Sequence, residues 1–170
     1  MVDWDWLAAD LQRLRDEGLW RDVRTVKSLP DGWCEVDGRR VRNLSSNDYL
    51  NLAHDPRVIA AAKEALDDAG VGAGASALVS GRSPWHERLE SAICDFEGTE
   101  AAVLFPSGYA ANVGTISALV SDQDVVFCDR LNHASLVDGC RMSGASMRVY
   151  RHDRLEILER ELGKSSGEFR

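Results

Sequence analysis

The stretch AAVLFPSGYAANVG, residues 101–114, joins an apolar run to a series of small residues through Pro-Ser-Gly. Its first five residues have the composition of a short buried strand, and Pro106 ends that strand because proline cannot donate to a β-ladder. The small residues that follow predict a helix beginning near Tyr109. The stretch is therefore typical of the point at which a strand leads into a helix in an α/β domain.

The same alternation continues along the chain. Strand-like runs recur at VVFC (125–128) and SMRVY (146–150), and segments with helical patterning separate them. Two helices are predicted upstream, over residues 55–70 and 83–98, each with a capping residue and a proline at its start and a glycine at its end. Because strands that alternate with helices pair in parallel through right-handed crossovers, we expect an α/β fold with a parallel sheet.

The residues before this region follow a different pattern. Apolar residues recur at helical spacing from Asp3 to Asp16, which predicts an amphipathic helix. Further on, WCEV and RRVRNL flank Asp37-Gly38, a dipeptide that readily adopts the positive φ angles of a tight hairpin turn. We therefore divide the chain into an N-terminal helix and β-hairpin segment, residues 1–54, and an α/β region, residues 55–170.

Composition and charge exclude several classes of function. Of the 170 residues, 44% are hydrophobic and 28% are charged, which is ordinary for a soluble domain and does not suggest a membrane span. The net charge of −8 argues against a nucleic-acid binder, and the acidic N-terminus differs from a secretory signal, so we expect a cytoplasmic protein. Its four cysteines are too widely spaced for a CxxC metal site, so we expect reduced thiols and no bound metal.

The loop after the first predicted strand is a candidate ligand site. Ligands of open parallel sheets bind beyond the carboxyl ends of the strands, where helix N-termini offer unpaired N–H groups to an anion. Gly108 lets a ligand approach the backbone, Ser107 can cap the helix, and Tyr109 can place its ring against a planar ligand. The stretch alone leaves a second interpretation open, an ordinary strand-to-helix turn with a buried tyrosine.

The loop after the second strand carries His133 within DRLNHASLVDG, residues 129–139. A histidine at this point can stack on a heteroaromatic ring or exchange protons, although it can equally be a residue that only caps the next helix. The glycine-rich segment VGAGASALVSG, residues 71–81, indicates sharp turns or a close approach of the backbone, and leaves packing and ligand contact equally open. We assign no chemistry to His54, His86 or His152.

Five segments in this order resemble the α-oxoamine synthases, which are fold-type-I enzymes that use pyridoxal 5′-phosphate (PLP) to condense an amino acid with an acyl-CoA. The segments are NLSSNDYL, GVGAGASALVSG, the H..LE of WHERLE, LFPSGYAANVG and DRLNHASLVDG, and they span most of residues 43–139. The resemblance implies an incomplete aspartate-aminotransferase-like large domain over residues 55–170 and a homodimeric parent enzyme. It favours L-alanine and a pimeloyl thioester, from CoA or an acyl carrier, as substrates, and leaves glycine with other acyl-CoA substrates open.

The resemblance also implies roles for individual residues. Ser107, Gly108 and Tyr109 match the family's cradle for the cofactor phosphate, and His133 matches the residue that stacks on the pyridine ring and orients the amino acid. Asn47 matches the asparagine that holds the substrate carboxylate. Arg21 matches the arginine that contacts the acyl substrate. Asn51 stands where the family has glycine, so we expect a left-handed backbone there, which asparagine tolerates.

The chain lacks a lysine in the surroundings that the family's Schiff-base lysine has. Its three lysines are Lys27 before the hairpin, Lys63 on an early helix and Lys164 in the polar tail. Covalent capture of the cofactor needs such an amine. We therefore interpret the chain as the N-terminal portion of such an enzyme, from a truncated gene product, a split gene or a partial sequence, and as inactive alone. A non-catalytic chain that docks on a full-length paralogue is the alternative.

Overall fold

The structure is a computed structural model that describes residues 4–164. The chain forms two compact units, one that ends at Gly72 and one that begins at Ala73. Within the described range, no helix is both long enough and apolar enough to cross a bilayer.

The first unit contains two helices and a three-stranded antiparallel sheet. Its elements are α1 (Asp5–Asp16), β1 (Val26–Leu29), β2 (Trp33–Val36), β3 (Arg39–Arg42), a 3₁₀ turn (Leu52–His54) and α2 (Pro56–Ala69), and the strand order is β1-β2-β3. The predicted hairpin is confirmed, because Asp37 and Gly38 have φ angles of 51° and 72° between β2 and β3. β1 was missed, since the short run VKSL lacks a clear alternation of apolar and polar residues.

Local signals at the start of α2 act as the sequence predicts. The carboxylate of Asp55 accepts a hydrogen bond from the N–H of Arg57 at 2.8 Å, and Pro56 begins the helix. Asn51, just upstream, has a φ of 55° and a ψ of 35°, so the expected left-handed conformation at this position is confirmed. Asparagine therefore occupies this site at a modest conformational cost.

The second unit alternates helices and strands. Its elements are a π turn (Ala77–Gly81), α3 (Pro84–Glu97), α4 (Gly108–Leu119), β4 (Val125–Asp129), α5 (Ala134–Met142), β5 (Ser146–Tyr150) and α6 (Leu155–Lys164). β4 and β5 pair in parallel, with Val125 opposite Ser146 and Asp129 opposite Tyr150. The structure is therefore a partial α/β domain, and the two predicted downstream strands are confirmed.

The predicted strand over residues 101–105 is wrong for this structure. Within the described residues, the segment pairs with neither β4 nor β5. The composition of a run indicates how well it fits a sheet, but its ladder hydrogen bonds come from a neighbouring strand. The crossover through α4 does not bring residues 101–105 beside β4, so the run has no partner strand in the described part of the chain.

Few side chains are buried. In the second unit, Cys128 of β4 and Ser135 and Cys140 of α5 are at most 3% exposed. By contrast, large apolar side chains such as Leu78 and Val103 are 97% and 76% exposed. In a complete α/β domain both faces of the sheet are covered, so exposed apolar side chains of this kind are typical of surfaces that are buried in such a domain.

Candidate functional site

The N-terminus of α4 is the centre of the candidate site. Ser107 has an extended backbone, with φ −159° and ψ 159°, and its Oγ accepts a hydrogen bond from the N–H of Ala110 at 3.1 Å. The N–H groups of Gly108 and Tyr109 lie in the first turn and have no intrahelical acceptor. No atom lies within 4 Å of a Cβ placed on Gly108. An anion can therefore reach two free N–H donors at the positive end of the helix dipole.

Replacing the capping residue tests how this turn is held. We expect Ser107→Ala to lower the free energy of unfolding by about 1 kcal/mol, the usual cost of losing an N-cap hydrogen bond. Ser107→Asp retains a side-chain acceptor and is the control, with stability close to that of the parent. Chemical denaturation followed by circular dichroism measures both changes. Equal stability of the alanine variant and the parent would show that Ser107 does not cap α4.

His133 occupies the corresponding position before α5. Its Nδ1 accepts a hydrogen bond from the N–H of Ser135 at 3.2 Å, so His133 is the N-cap of this helix. The same Nδ1 lies 2.7 Å from the Oγ of Ser135, whose residue is fully buried. The interpretation of His133 as a capping residue is therefore confirmed, and its ring is fixed at an exposed position of the loop after β4.

Close packing of α4 on α5 links these two loops. A Cβ at Gly139 would lie 3.0 Å from Cδ1 of Ile116 and 3.2 Å from the carbonyl oxygen of Asn112, so only glycine fits without a shift. The Nδ2 of Asn112 donates to the Oγ of Ser135 at 2.9 Å. Asn112, in the second turn of α4, is thus connected through Ser135 to His133.

A second link joins Tyr109 to α5. The Tyr109 hydroxyl donates to Oδ2 of Asp138 at 3.2 Å. This hydrogen bond, together with the negative charge of the carboxylate, raises the pKa of Tyr109 above its usual value. Tyr109 is 52% exposed, so the alternative of an ordinary turn with a buried tyrosine is not what the structure shows.

Asp129, the last residue of β4, holds the start of the His133 loop. Its Oδ1 accepts from the N–H of Leu131 at 2.8 Å, and its Oδ2 lies 2.8 Å from Nδ1 of His152. The Leu131 N–H first, and then His152, lower the pKa of Asp129, because both stabilise the carboxylate. His152, two residues after β5, therefore supports the start of this loop.

The other two predicted site residues belong to the first unit. Asn47 accepts a hydrogen bond of 3.5 Å from the hydroxyl of Tyr49 through its Oδ1. Arg21 donates from Nη1 to the carbonyl oxygens of Gly18 and Trp20 at 3.3 and 3.2 Å. Both side chains are exposed, and their roles toward a substrate stay predictions.

Two of the remaining histidines, to which the sequence assigns no chemistry, contact serine residues. Nδ1 of His86 accepts from the N–H of Ser83 at 3.1 Å in the capping box of α3, and Nε2 of His54 lies 3.1 Å from Oγ of Ser28. The four cysteines are free thiols. Across residues 4–164, no group of three or more His, Cys, Asp or Glu side chains is arranged to hold a metal ion.

Sequence reasoning missed Asn112, Ser135 and Asp138. Each is a polar residue inside a helix whose other residues are mostly small or apolar, and that contrast was the available signal. Their partners lie on another helix, so the contacts themselves could not be read from local sequence. Together, two free N–H groups, one exposed phenol ring and one fixed imidazole suit a ligand with a phosphate group and a planar ring.

Comparison with known proteins gives the same ligand class. The family model described as aminotransferase class I and II matches residues 39–169. The chain is 49% identical over 166 residues to 8-amino-7-oxononanoate synthase of Alkalilimnicola ehrlichii and 50% identical over 161 residues to that of Geobacter sulfurreducens. These alignments cover 96% and 95% of the chain but only 42% and 41% of the two relatives. The chain therefore spans about two fifths of their length.

Solved structures agree with the sequence matches. Serine palmitoyltransferase from S. paucimobilis, with bound PLP and myriocin, superposes with a TM-score of 0.84 at 34% identity, over 97% of the chain and 42% of that protein. An 8-amino-7-oxononanoate synthase from Francisella tularensis superposes with a TM-score of 0.60 at 29% identity, over 73% of the chain and 34% of that protein. The partial α/β domain is thus that of fold-type-I PLP enzymes.

Proposed function

Because the chain belongs to the aminotransferase class I and II family, we propose that it is the N-terminal part of a PLP-dependent acyltransferase that joins an amino acid to an acyl thioester. The observation that carries this proposal is that α4 begins with two free N–H groups, from Gly108 and Tyr109, and is joined by hydrogen bonds through Ser135 to the fixed ring of His133. A phosphate and a planar pyridine ring are the two parts of PLP that such groups recognise.

The favoured activity is that of 8-amino-7-oxononanoate synthase. This reaction condenses L-alanine with a pimeloyl thioester and releases carbon dioxide and the thiol, in biotin biosynthesis. Relatives with that name are 49% and 50% identical to the chain, whereas the serine palmitoyltransferase structure is 34% identical. Glycine C-acetyltransferase and 5-aminolevulinate synthase are the runner-up activities, because they condense glycine with an acyl-CoA by the same chemistry.

In this proposal, residues of the chain bind the cofactor and orient the substrates. The N–H groups of Gly108 and Tyr109 hold the phosphate, and Ser107 keeps the turn in place through its cap. His133 stacks on the pyridine ring and, with Asn47, orients the amino acid, while Arg21 contacts the acyl substrate. PLP supplies an electron sink for the bond changes at the α-carbon when it is bound.

We further propose that none of the three lysines is the cofactor lysine and that the chain alone is inactive. Lys27 lies on β1 and Lys63 on α2, while Lys164 forms an ion pair with Glu161 at 2.7 Å. The parent enzyme is proposed to be a cytoplasmic homodimer in which residues 55–170 begin the PLP-binding domain. The exposed apolar side chains of the second unit also suit the alternative role, a non-catalytic chain that docks on a full-length paralogue.

Titration with PLP tests the proposal. We expect the chain to bind PLP weakly and reversibly, with competition by inorganic phosphate and much weaker binding of pyridoxal, which lacks the phosphate. After borohydride reduction, mass spectrometry should find no stoichiometric adduct on Lys27, Lys63 or Lys164. A stoichiometric adduct on one of them would overturn the claim about the missing lysine. Equal affinity for pyridoxal and PLP would overturn the phosphate cradle.

A further inference from the structure

The hydrogen bonds around His133 determine which ring nitrogen carries the proton. A backbone N–H can only donate, and the N–H of Ser135 points at Nδ1 of His133 at 3.2 Å. Nδ1 is therefore an acceptor, and the N–H of a neutral imidazole must be at Nε2. Across the described residues, no hydrogen bond involves this Nε2, so its donor is available to a ligand.

The direction of the remaining bonds follows from the same constraint. Oγ of Ser135 lies 2.7 Å from Nδ1, and two acceptors cannot approach so closely without a proton between them. The Ser135 hydroxyl must therefore donate to His133. Its oxygen then accepts from Nδ2 of Asn112 at 2.9 Å, which fixes the orientation of that amide.

We propose that Asn112 and Ser135 are positioning residues that hold His133 as an Nε2–H donor. The relay runs from an amide on α4, through a fully buried hydroxyl on α5, to the imidazole in the loop after β4. The role of this relay toward PLP and the substrate rests on the proposed function. In that case, the neutral ring face of His133 stacks on PLP, and its Nε2–H donates to an acceptor atom of the substrate. The tautomer itself depends on the geometry alone.

His86 provides a comparison inside the same chain. Its Nδ1 also accepts a backbone N–H, from Ser83 at 3.1 Å, and lies 2.8 Å from Oγ of that serine. In this pair the serine and the histidine belong to one capping box, whereas Ser135 receives a further donor from another helix. A change confined to Ser135 or Asn112 should therefore alter His133 and leave His86 unchanged.

Long-range ¹H–¹⁵N spectra of the ¹⁵N-labelled chain, recorded without PLP, test the proposal. In the parent we expect His133 to show an unprotonated Nδ1 and a protonated Nε2. In Ser135→Ala the ratio of the Nδ1–H to the Nε2–H tautomer should rise roughly fivefold, the factor that one lost neutral hydrogen bond gives. Ser135→Thr keeps the hydroxyl and should restore the parent spectrum.

Further variants separate a relay from a general loss of structure. Asn112→Leu, of similar volume, removes the amide donor and should raise the same ratio by a smaller factor, even if Ser135→Ala fails to fold. Ser83→Ala should change the spectrum of His86 and not that of His133. A protonated Nδ1 in the parent, or unchanged His133 spectra in folded Ser135→Ala and Asn112→Leu, would overturn the relay. A confirmed tautomer in a chain that does not bind PLP would instead overturn only the proposed function.

Discussion

Gly81→Ala is expected to unfold the segment around the π turn of the second unit. A Cβ at Gly81 would lie 1.9 Å from the carbonyl oxygen of Ala75 and 2.7 Å from its carbonyl carbon. Both are backbone atoms, so no side chain can rotate away to make room. Gly81 itself is the buried residue of the turn. We expect the free energy of unfolding to fall by about 3 kcal/mol or more, which is at or beyond the upper end of the usual cost of overpacking.

Two measurements distinguish this effect from an ordinary glycine replacement. Hydrogen exchange of the amides in residues 75–81 reports the local loss, and the unfolding midpoint reports the effect on the whole unit. Gly163→Ala is the matched control, because a Cβ there meets no atom within 4 Å and the residue lies in α6. In this control, the free energy of unfolding should rise by roughly 0.5–1 kcal/mol, because alanine is the better helix former. Equal exchange rates in Gly81→Ala and the parent would contradict the close approach.

Gly81 also bears on the two interpretations of the glycine-rich segment. Gly72 and Gly74 have φ angles of 78° and 71°, so the predicted sharp turns are confirmed. The close approach at Gly81 is to the chain's own backbone, which supports packing at this glycine. The composition of the segment could not decide between packing and ligand contact, because both need a position without a side chain.

The sequence predicts features whose causes are local. The turn at Asp37-Gly38 requires positive φ angles at two adjacent residues, and the cap at Ser107 requires only the three residues that follow it. Residues 101–105 failed as a strand because a ladder depends on a partner that composition does not reveal. The pairing of β4 with β5 succeeded because a short crossover through α5 joins them.

The residues of the candidate site also fall into two groups, those that local sequence predicts and those that depend on helix packing. Ser107 and His133 were found from their places at the starts of helices, and both act as N-caps in the structure. The relay through Asn112 and Ser135 depends on how closely α4 approaches α5, which Gly139 permits. Only the packed structure supplies that distance, so the support for His133 could not be derived from its own motif.

Gly108→Pro is expected to weaken PLP binding by about ten- to a hundredfold without disrupting α4. Proline lacks a backbone N–H and so removes one of the two free donors at the helix start. Loss of one hydrogen bond to a charged group costs roughly 1.5–3 kcal/mol, which gives this range of affinity. Gly108 is the first helical residue, a position at which the φ angle of proline fits the helix.

The neighbouring residues make this substitution a clean test of the phosphate cradle. Ser107 already has the extended φ and ψ, −159° and 159°, that a residue before proline prefers, so the N-cap should persist. Gly108→Ala is the control: its Cβ meets no atom within 4 Å and its N–H is retained, so its affinity for PLP should remain close to that of the parent. Pyridoxal should bind both variants equally, because it has no phosphate to lose. If Gly108→Pro bound PLP as tightly as Gly108→Ala, while circular dichroism showed α4 intact, the N–H groups of this turn would not be the phosphate donors.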